Sequence, residues 1–134
     1  MIARTGAVSS LPLQFTVGLE VVVNLLAPNA PDRYFDCPEG RHALAWSGVV
    51  ESSHLRVVDE WQNVATTIDA PGASHLWVAP IETVSESEEG FERVYQGSQI
   101  LAVWPVEMVP SAKWSGETVL HVTAARPESA KREN

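Results

Sequence analysis

The densest group of chemically competent side chains in the sequence is a set of glutamates. Five carboxylates fall within eleven residues: Glu82, Glu86, Glu88, Glu89 and Glu92. A glycosidase needs two carboxylates at a fixed separation, one as general acid and the other as base or nucleophile. Charged side chains usually stay in solvent, however, and this favours a solvated loop. A small carbohydrate-active enzyme that uses Glu82, Glu88 or Glu92 is the alternative interpretation.

The five tryptophans offer a second kind of site. An indole ring can stack on a sugar ring while its N–H donates a hydrogen bond. Trp46, Trp77 and Trp104 lie within strand patterns, so we expect them in the core. Trp61 and Trp114 fall in predicted turns, where a large apolar side chain must fold back or bind something. These two are therefore the candidate carbohydrate-binding aromatics.

Other chemistries have little support in the sequence. Cys37 is the only cysteine, so we expect neither an intrachain disulfide nor a thiolate zinc site. The histidines form no H-x-x-x-H or H-E-x-x-H pair, and no Asp-rich loop predicts a calcium site. We therefore expect no metal and no cofactor. The histidines are His42, His54, His75 and His121.

The composition excludes some partners. The 134 residues carry a formal net charge of −8 with 9 Lys and Arg, whereas phosphate binding needs a concentrated positive face. We therefore expect no nucleic acid partner. No stretch approaches the roughly 18 apolar residues that would span a bilayer, and the amino-terminal segment lacks the apolar centre of a signal peptide. We expect a cytoplasmic protein without membrane contact.

The central part of the chain predicts strand, loop and strand. Leu76 to Ile81 is β-branched and aromatic, which favours a strand. Thr83 to Gly90 is polar and lacks periodicity, so it is predicted as a loop. Phe91 to Gln96 alternates like a strand, and Gly97 separates it from a further strand at Ile100 to Val106.

Elsewhere the pattern predicts more short strands. Phe15 to Leu26 is the strongest of them, because all six odd-numbered positions are apolar. With seven or eight strands and no helical period, the sequence indicates an all-β fold, an antiparallel β-sandwich or barrel-like sheet. We expect one sandwich domain over residues 13–126, a flexible lead-in over 1–12 and a disordered tail over 127–134. The remaining predicted strands are Ala43 to Val50, Leu55 to Asp59, Val64 to Ile68 and Thr118 to Ala124.

The central stretch resembles a known family. Pro80 to Gly97 reads PIETVSESEEGFERVYQG, which is similar to a string in the carboxy-terminal β-sandwich domain of glycoside hydrolase family 57 enzymes, the 4-α-glucanotransferases and α-amylases. Phe15 to Pro28 looks like a strand of that family that ends in an asparagine, and the Asp59–Glu60 pair also fits. The similarity runs from Leu13 to Met108 and matches the later half of the family's domain.

The resemblance implies a fragment of a galactose-mutarotase-like supersandwich. In such enzymes an amino-terminal (β/α) barrel supplies a glutamate nucleophile and an aspartate acid/base, so no catalytic residue carries over to this chain. Glu88, Tyr95 and Gln96 match the motif, and we add them to Trp61 and Trp114 as candidate carbohydrate contacts. The other motif residues are expected to hold the sandwich and its interface with the barrel: Pro80, Thr83, Ser87, Gly90, Phe91 and Gly97.

Our leading hypothesis is a noncatalytic accessory module of α-glucan metabolism. It would support a family 57 catalytic barrel or bind α-glucan itself. A self-associating interaction module is the alternative to sugar binding. Half of a larger sandwich would leave an apolar sheet face and unpaired edges, which proteins usually cover. We therefore expect a homodimer or a bound partner chain.

Overall fold

A computed structural model of the chain describes residues 1–6 and 11–126. Every regular element in these ranges is a β-strand, which confirms the all-β prediction. The described residues form eleven strands rather than seven or eight, because several short polar segments also pair. The strands are β1 (Ile2–Gly6), β2 (Leu13–Val23), β3 (Arg33–Cys37), β4 (Gly40–Ala43), β5 (Gly48–Val50), β6 (His54–Asp59), β7 (Val64–Asp69), β8 (His75–Ser87), β9 (Gly90–Met108), β10 (Lys113–Glu117) and β11 (Val119–Ala124).

Two antiparallel sheets pack face to face and form the predicted sandwich. Sheet I has the strand order β2-β9-β8-β5, and sheet II has the order β11-β7-β6-β3-β4. Strands β1 and β10 form a separate two-stranded ribbon. The core lies between the sheets, where Phe35, Leu55 and Ile68 of sheet II meet Leu76 and Ile100 of sheet I. The sandwich is thus held by apolar side chains from both inner faces.

Strand β2 confirms the alternation read from the sequence. Its odd-numbered residues from Phe15 to Val23 are half-buried or buried, and its even-numbered residues are exposed. The strand ends at Val23 rather than Leu26. Asn24 Oδ1 accepts a hydrogen bond from the Leu26 amide at 3.1 Å, and Leu26 and Ala27 have left-handed φ angles of 56° and 45°. This turn takes the chain out of the hydrogen-bonded ladder with β9.

The predicted loop from Thr83 to Gly90 is wrong. β8 continues to Ser87 and β9 begins at Gly90, so the two strands form one long hairpin with Glu88 and Glu89 at its tip. We call residues 82–96 the arm. Its side chains are mostly exposed, and hydrophobic periodicity gives no signal where neither face of a strand is buried. Backbone pairing alone defines these strands.

Gly97 does not separate two strands as predicted. β9 runs through it, but the register shifts there. Ile81 pairs with Gly97 and Glu82 pairs with Tyr95, so Gln96 is an extra residue, as in a β-bulge. This bulge lies where the arm leaves the sandwich.

Strands β1 and β10 form a ribbon that the sequence pattern does not predict. Ile2–Gly6, within the expected lead-in over residues 1–12, forms β1 and pairs with β10. β10 contains Trp114, which the pattern assigns to a turn. The Thr118 amide extends the ribbon by donating to the Met1 carbonyl at 2.8 Å. Residues 7–10 and the predicted tail over 127–134 lie outside the described residues.

Candidate functional site

The outward-facing side of sheet I carries a row of neighbouring side chains across all four strands. In this row Glu20 of β2 pairs with Leu101 of β9, Leu101 with Trp77 of β8, and Trp77 with Val49 of β5. We call this surface the outer face of sheet I. Trp77 is 52 % exposed, so the prediction that it lies in the core is wrong. Successive strand side chains point to opposite sides, and Leu76, its neighbour, takes the inward position.

Polar groups lie at the end of this row and beside it. The His75 ring lies 5.7 Å from Trp77, centroid to centroid, at an interplanar angle of 39°. Gln99 Nε2 donates to Glu20 Oε2 at 2.8 Å on the neighbouring strands. Val22 on β2 is also largely exposed. The face can therefore pack against an apolar surface or stack on a ring, with hydrogen-bonding groups beside it.

Trp61 lies in the turn between β6 and β7, as predicted, and is 77 % exposed. The turn is held by Asp59, whose Oδ1 accepts from the Gln62 amide at 3.0 Å. Asn63 has a φ angle of 56°, a left-handed conformation that asparagine tolerates well. Trp61 is thus an isolated aromatic side chain on an ordered turn.

Trp114 is placed differently from the prediction. It lies in β10 rather than in a turn, and its half-buried ring packs edge-on against Trp104 with centroids 5.8 Å apart. Trp104 Nε1 donates to the carbonyl of Pro71, which follows the carboxyl end of β7, at 3.1 Å. Trp61 precedes the other end of β7. The two candidate tryptophans therefore lie at opposite ends of that strand and do not form one site. Trp104 is buried, as predicted.

Several motif residues make hydrogen bonds at the base of the arm. The Tyr95 hydroxyl and Ser98 Oγ are 2.6 Å apart, and Ser98 Oγ donates to the Leu44 carbonyl at 3.0 Å. Burial raises the pKa of the Tyr95 hydroxyl, and the hydrogen bond to Ser98 partly offsets this effect. Gln96 Nε2 donates to Thr83 Oγ1 at 3.2 Å. Tyr95 thus ties β9 to the core.

Glu88 does not join these residues. It lies at the tip of the arm, and Tyr95 lies at its base, roughly 20 Å away at about 3.3 Å per strand residue. The other motif positions follow the two strands of the hairpin. Pro80 pairs with Ser98, Thr83 with Val94, Ser87 with Gly90 and Phe91 with Glu86, while Gly97 is at the bulge.

The arm glutamates do not face a common cleft. All five are exposed. Glu86 pairs with Phe91, whereas Glu92 pairs with Ser85, so Glu86 and Glu92 lie on opposite sides of the arm. Arg93 Nη1 lies 3.7 Å from Glu82 Oε2. This arrangement does not provide the two facing carboxylates that glycoside hydrolysis needs.

The β3–β4 hairpin brings together three ligand-type side chains that no sequence motif indicated. The ligand atoms of Cys37, Glu39 and His42 all lie within 4.8 Å of one another. Burial, together with the charges of Glu39 and Asp36, raises the pKa of the Cys37 thiol to about 11. The signal that could have found this group is the pairing of Phe35 with His42, which puts His42 on the same side as Cys37.

These features define a class of protein: a two-sheet antiparallel β-sandwich domain that exposes an aromatic sheet face and an acidic arm. A family model described as "Alpha-amylase/4-alpha-glucanotransferase, C-terminal" matches residues 5–117. Alpha-amylase 1 of Dictyoglomus thermophilum is 35 % identical over 108 residues. The chain therefore belongs to the family of alpha-amylase/4-alpha-glucanotransferase C-terminal domains, which confirms the resemblance seen in the sequence.

The matched segment is a small part of the relative's own length. The aligned region covers 80 % of this chain but only 16 % of the Dictyoglomus protein. No solved structure matches the chain. Within the described ranges, no helix is long and apolar enough to cross a membrane.

Proposed function

We propose that this chain is a noncatalytic accessory module of an α-glucan-active enzyme, and that the outer face of sheet I docks it onto the catalytic part of that enzyme. The observation that carries the proposal is the exposed position of Trp77 between Val49 and Leu101 on the outer face of sheet I. An antiparallel sheet with one face on the core usually presents polar residues on the other. A bare tryptophan on such a face is typical of an interaction surface.

The lengths of the matched proteins favour the catalytic part as the occupant. The segment related to this chain makes up 16 % of the Dictyoglomus alpha-amylase, so most of that protein lies outside it. A module in such a chain needs a surface for contact with the rest of the enzyme. The outer face of sheet I spans four strands. Val49 and Leu101 flank Trp77 on the neighbouring strands, and Val22 adds an exposed apolar side chain on β2.

A binding experiment with separate polypeptides tests the docking. The Dictyoglomus protein without its matched segment is titrated with this chain in a calorimeter. We expect a one-to-one complex, and Trp77→Ser should weaken it at least about tenfold, since a central tryptophan commonly contributes more than about 1.4 kcal/mol to an interface.

Trp61→Ser is the control, because it removes another exposed tryptophan, which lies in the β6–β7 turn of sheet II and not on the outer face of sheet I. Trp61→Ser should leave the affinity unchanged. Equal affinities for the wild type and the Trp77→Ser variant would exclude the outer face of sheet I as the docking surface.

Glucan binding is a second candidate function, and the exposure of Trp77 and Trp61 favours it. Tryptophan fluorescence is followed during a titration with maltoheptaose, with cellohexaose as the control sugar. A saturable change with the α-linked sugar alone, abolished by Trp77→Phe or Trp61→Phe, would support a glucan site at that residue. An unchanged signal with both sugars would leave docking as the function.

Self-association through sheet I is a third candidate function, because an edge strand of this sheet lacks a partner on one side. Among the described residues, β2 pairs with β9 alone, so its other edge has free backbone groups over eleven residues. Light scattering over a range of concentrations distinguishes a homodimer from a monomer. A dimer that Trp77→Ser dissociates would identify the outer face as its interface.

A further inference from the structure

The β3–β4 hairpin aims a thiol and an imidazole into the same space. Cys37 pairs with Gly40 and Phe35 pairs with His42, so Cys37 and His42 share the side on which Phe35 enters the core. Phe35 is fully buried and Cys37 is nearly so. Glu39 is in the two-residue turn that joins the strands. Its carboxylate reaches back toward the same space.

His42 is held in place but lacks a hydrogen-bond partner for one nitrogen. Its ring stacks on Trp46 with centroids 3.9 Å apart and an interplanar angle of 10°. His42 Nε2 is shielded from solvent and makes no hydrogen bond. The nearest carboxylate oxygen, Oε1 of Glu39, is 3.9 Å away, too far for a hydrogen bond. A buried nitrogen without a partner needs an explanation, and a bound ion is one that fits the neighbouring thiol and carboxylate.

We propose that Cys37, Glu39 and His42 form a zinc site that clamps the β3–β4 hairpin at the edge of sheet II. Thiolate, imidazole and carboxylate are the three ligand types that zinc takes in proteins. Their separations of up to 4.8 Å must close to about 3.3–3.8 Å, which follows from tetrahedral bonds of about 2.0–2.3 Å. Glu39 is on an exposed turn, so its side chain can make this movement.

The charges of the three ligands match the cation. A thiolate and a carboxylate supply two negative charges, and the imidazole binds in its neutral form, so the site with Zn²⁺ is neutral overall. Binding replaces the thiol proton of Cys37, which is released to solvent. A fourth position remains for water, and the metal ties β4, an edge strand of sheet II, to β3.

Cobalt provides a direct test, because Co²⁺ bound to a thiolate absorbs in the near ultraviolet. Cys37 is the only cysteine, so such a band can come from no other residue. We expect one equivalent of Co²⁺ to produce the band and one equivalent of Zn²⁺ to abolish it. A folded wild-type chain that shows no band at one equivalent would overturn the proposal.

Two variants remove ligands and keep the fold. Glu39→Gln changes an exposed turn residue, and His42→Phe keeps a ring on Trp46 while it removes the nitrogen. Each should weaken zinc binding at least about tenfold, the lower bound seen when even an outer-shell partner of a metal is lost. Zinc should also raise the melting temperature of the wild type more than that of either variant.

Matched substitutions at exposed positions elsewhere serve as controls. Glu92→Gln and His121→Phe should bind zinc as tightly as the wild type. If Glu39→Gln and His42→Phe also bind like the wild type, the metal is held elsewhere and the assignment is wrong.

Discussion

The outer faces of the two sheets each present an aromatic side chain, but only one of these is covered. On sheet II, Tyr34 is 6 % exposed, since the Arg41 guanidinium lies 4.1 Å from its ring centroid and its hydroxyl donates to Glu60 Oε1 at 3.0 Å. On sheet I, Trp77 is mostly bare. Sheet II thus covers its aromatic side chain with its own residues, whereas sheet I leaves Trp77 about half exposed, as the proposed docking requires.

The end of the described chain adds to the cover on sheet II. Ala125 packs against a small cluster formed by Tyr34, Val58 and Ala65. The Ala125 amide donates to the Asn63 carbonyl at 3.2 Å, and the Ala125 carbonyl accepts from Arg56 Nη2 at 3.0 Å. In the described ranges, no comparable segment crosses the outer face of sheet I. The comparison predicts that substitutions on sheet II change stability and that Trp77 substitutions change binding.

The largest loss of stability is expected for Asp59→Ala in sheet II. Asp59 is fully buried, and its Oδ2 accepts from Arg33 Nε at 3.1 Å. Its removal leaves a largely buried guanidinium without a partner, which should cost about 3 kcal/mol of unfolding free energy. Urea denaturation measures this loss. Asp36→Ala, which breaks a partly exposed ion pair with Arg56, is the control and should cost at most about 1 kcal/mol.

A smaller loss is expected for Tyr34→Phe, because it removes only the hydrogen bond to Glu60. The cost at neutral pH should be about 1 kcal/mol. Burial, followed by the hydrogen bond to Glu60, raises the pKa of the Tyr34 hydroxyl above its ordinary value of 10.0. The stability that the protonated hydroxyl supplies is therefore complete below pH 10 and declines as the pH rises through the raised pKa.

Urea unfolding at pH 8 and at pH above 10 checks this dependence. The difference between wild type and Tyr34→Phe should shrink at the higher pH. A difference that stays constant over this range would show that the tyrosine hydroxyl does not titrate as its burial implies.

Arg41→Met tests the contact of the guanidinium with the Tyr34 ring. Its loss of unfolding free energy should be smaller still. The variant keeps much of the apolar stem but loses the cation, and an exposed cation–π contact contributes about 0.5–1 kcal/mol. Chemical denaturation should detect a loss in that range. An Arg41→Lys variant should recover part of the loss, because it restores the charge without the planar group.

For Trp77→Ser the effect on binding should exceed the effect on stability. Because about half of the side chain is in solvent, unfolding free energy should change by no more than about 1 kcal/mol. The same variant is expected to lose affinity for the catalytic part. A loss of more than about 2 kcal/mol in urea denaturation would mean that Trp77 supports the fold of sheet I, and the contrast between the two faces would fail.

The sequence predicted elements where one side of a strand is buried. The alternation from Phe15 to Val23 gave the orientation of β2 correctly because its two sides differ in polarity. In the arm, the pattern predicts the strand from Phe91 to Gln96 but assigns Thr83 to Gly90 to a loop, because both sides of that segment are polar and in solvent. Trp77 was assigned to the core because its neighbours Leu76 and Val78 are also apolar, so the pattern could not tell which of the two sides faces inward.

The Cys37, Glu39 and His42 group could not be predicted from spacing alone. The three residues come together only through the pairing of β3 with β4 in a defined register. A shift of one residue would turn His42 to the opposite side. The distance between the candidate tryptophans Trp61 and Trp114 could not be predicted either, because it depends on the fold, which places them at opposite ends of β7.

The pairing of β2 with β9 has a consequence for synthesis on the ribosome. Ser98, the partner of Val23, follows it by 75 residues, which takes roughly 4–15 s at about 5–20 residues per second. Strands β3, β6 and β7 have partners much nearer in sequence, so they can pair earlier. During that interval the backbone groups of β2 have no partner strand, which leaves the segment open to non-native pairing.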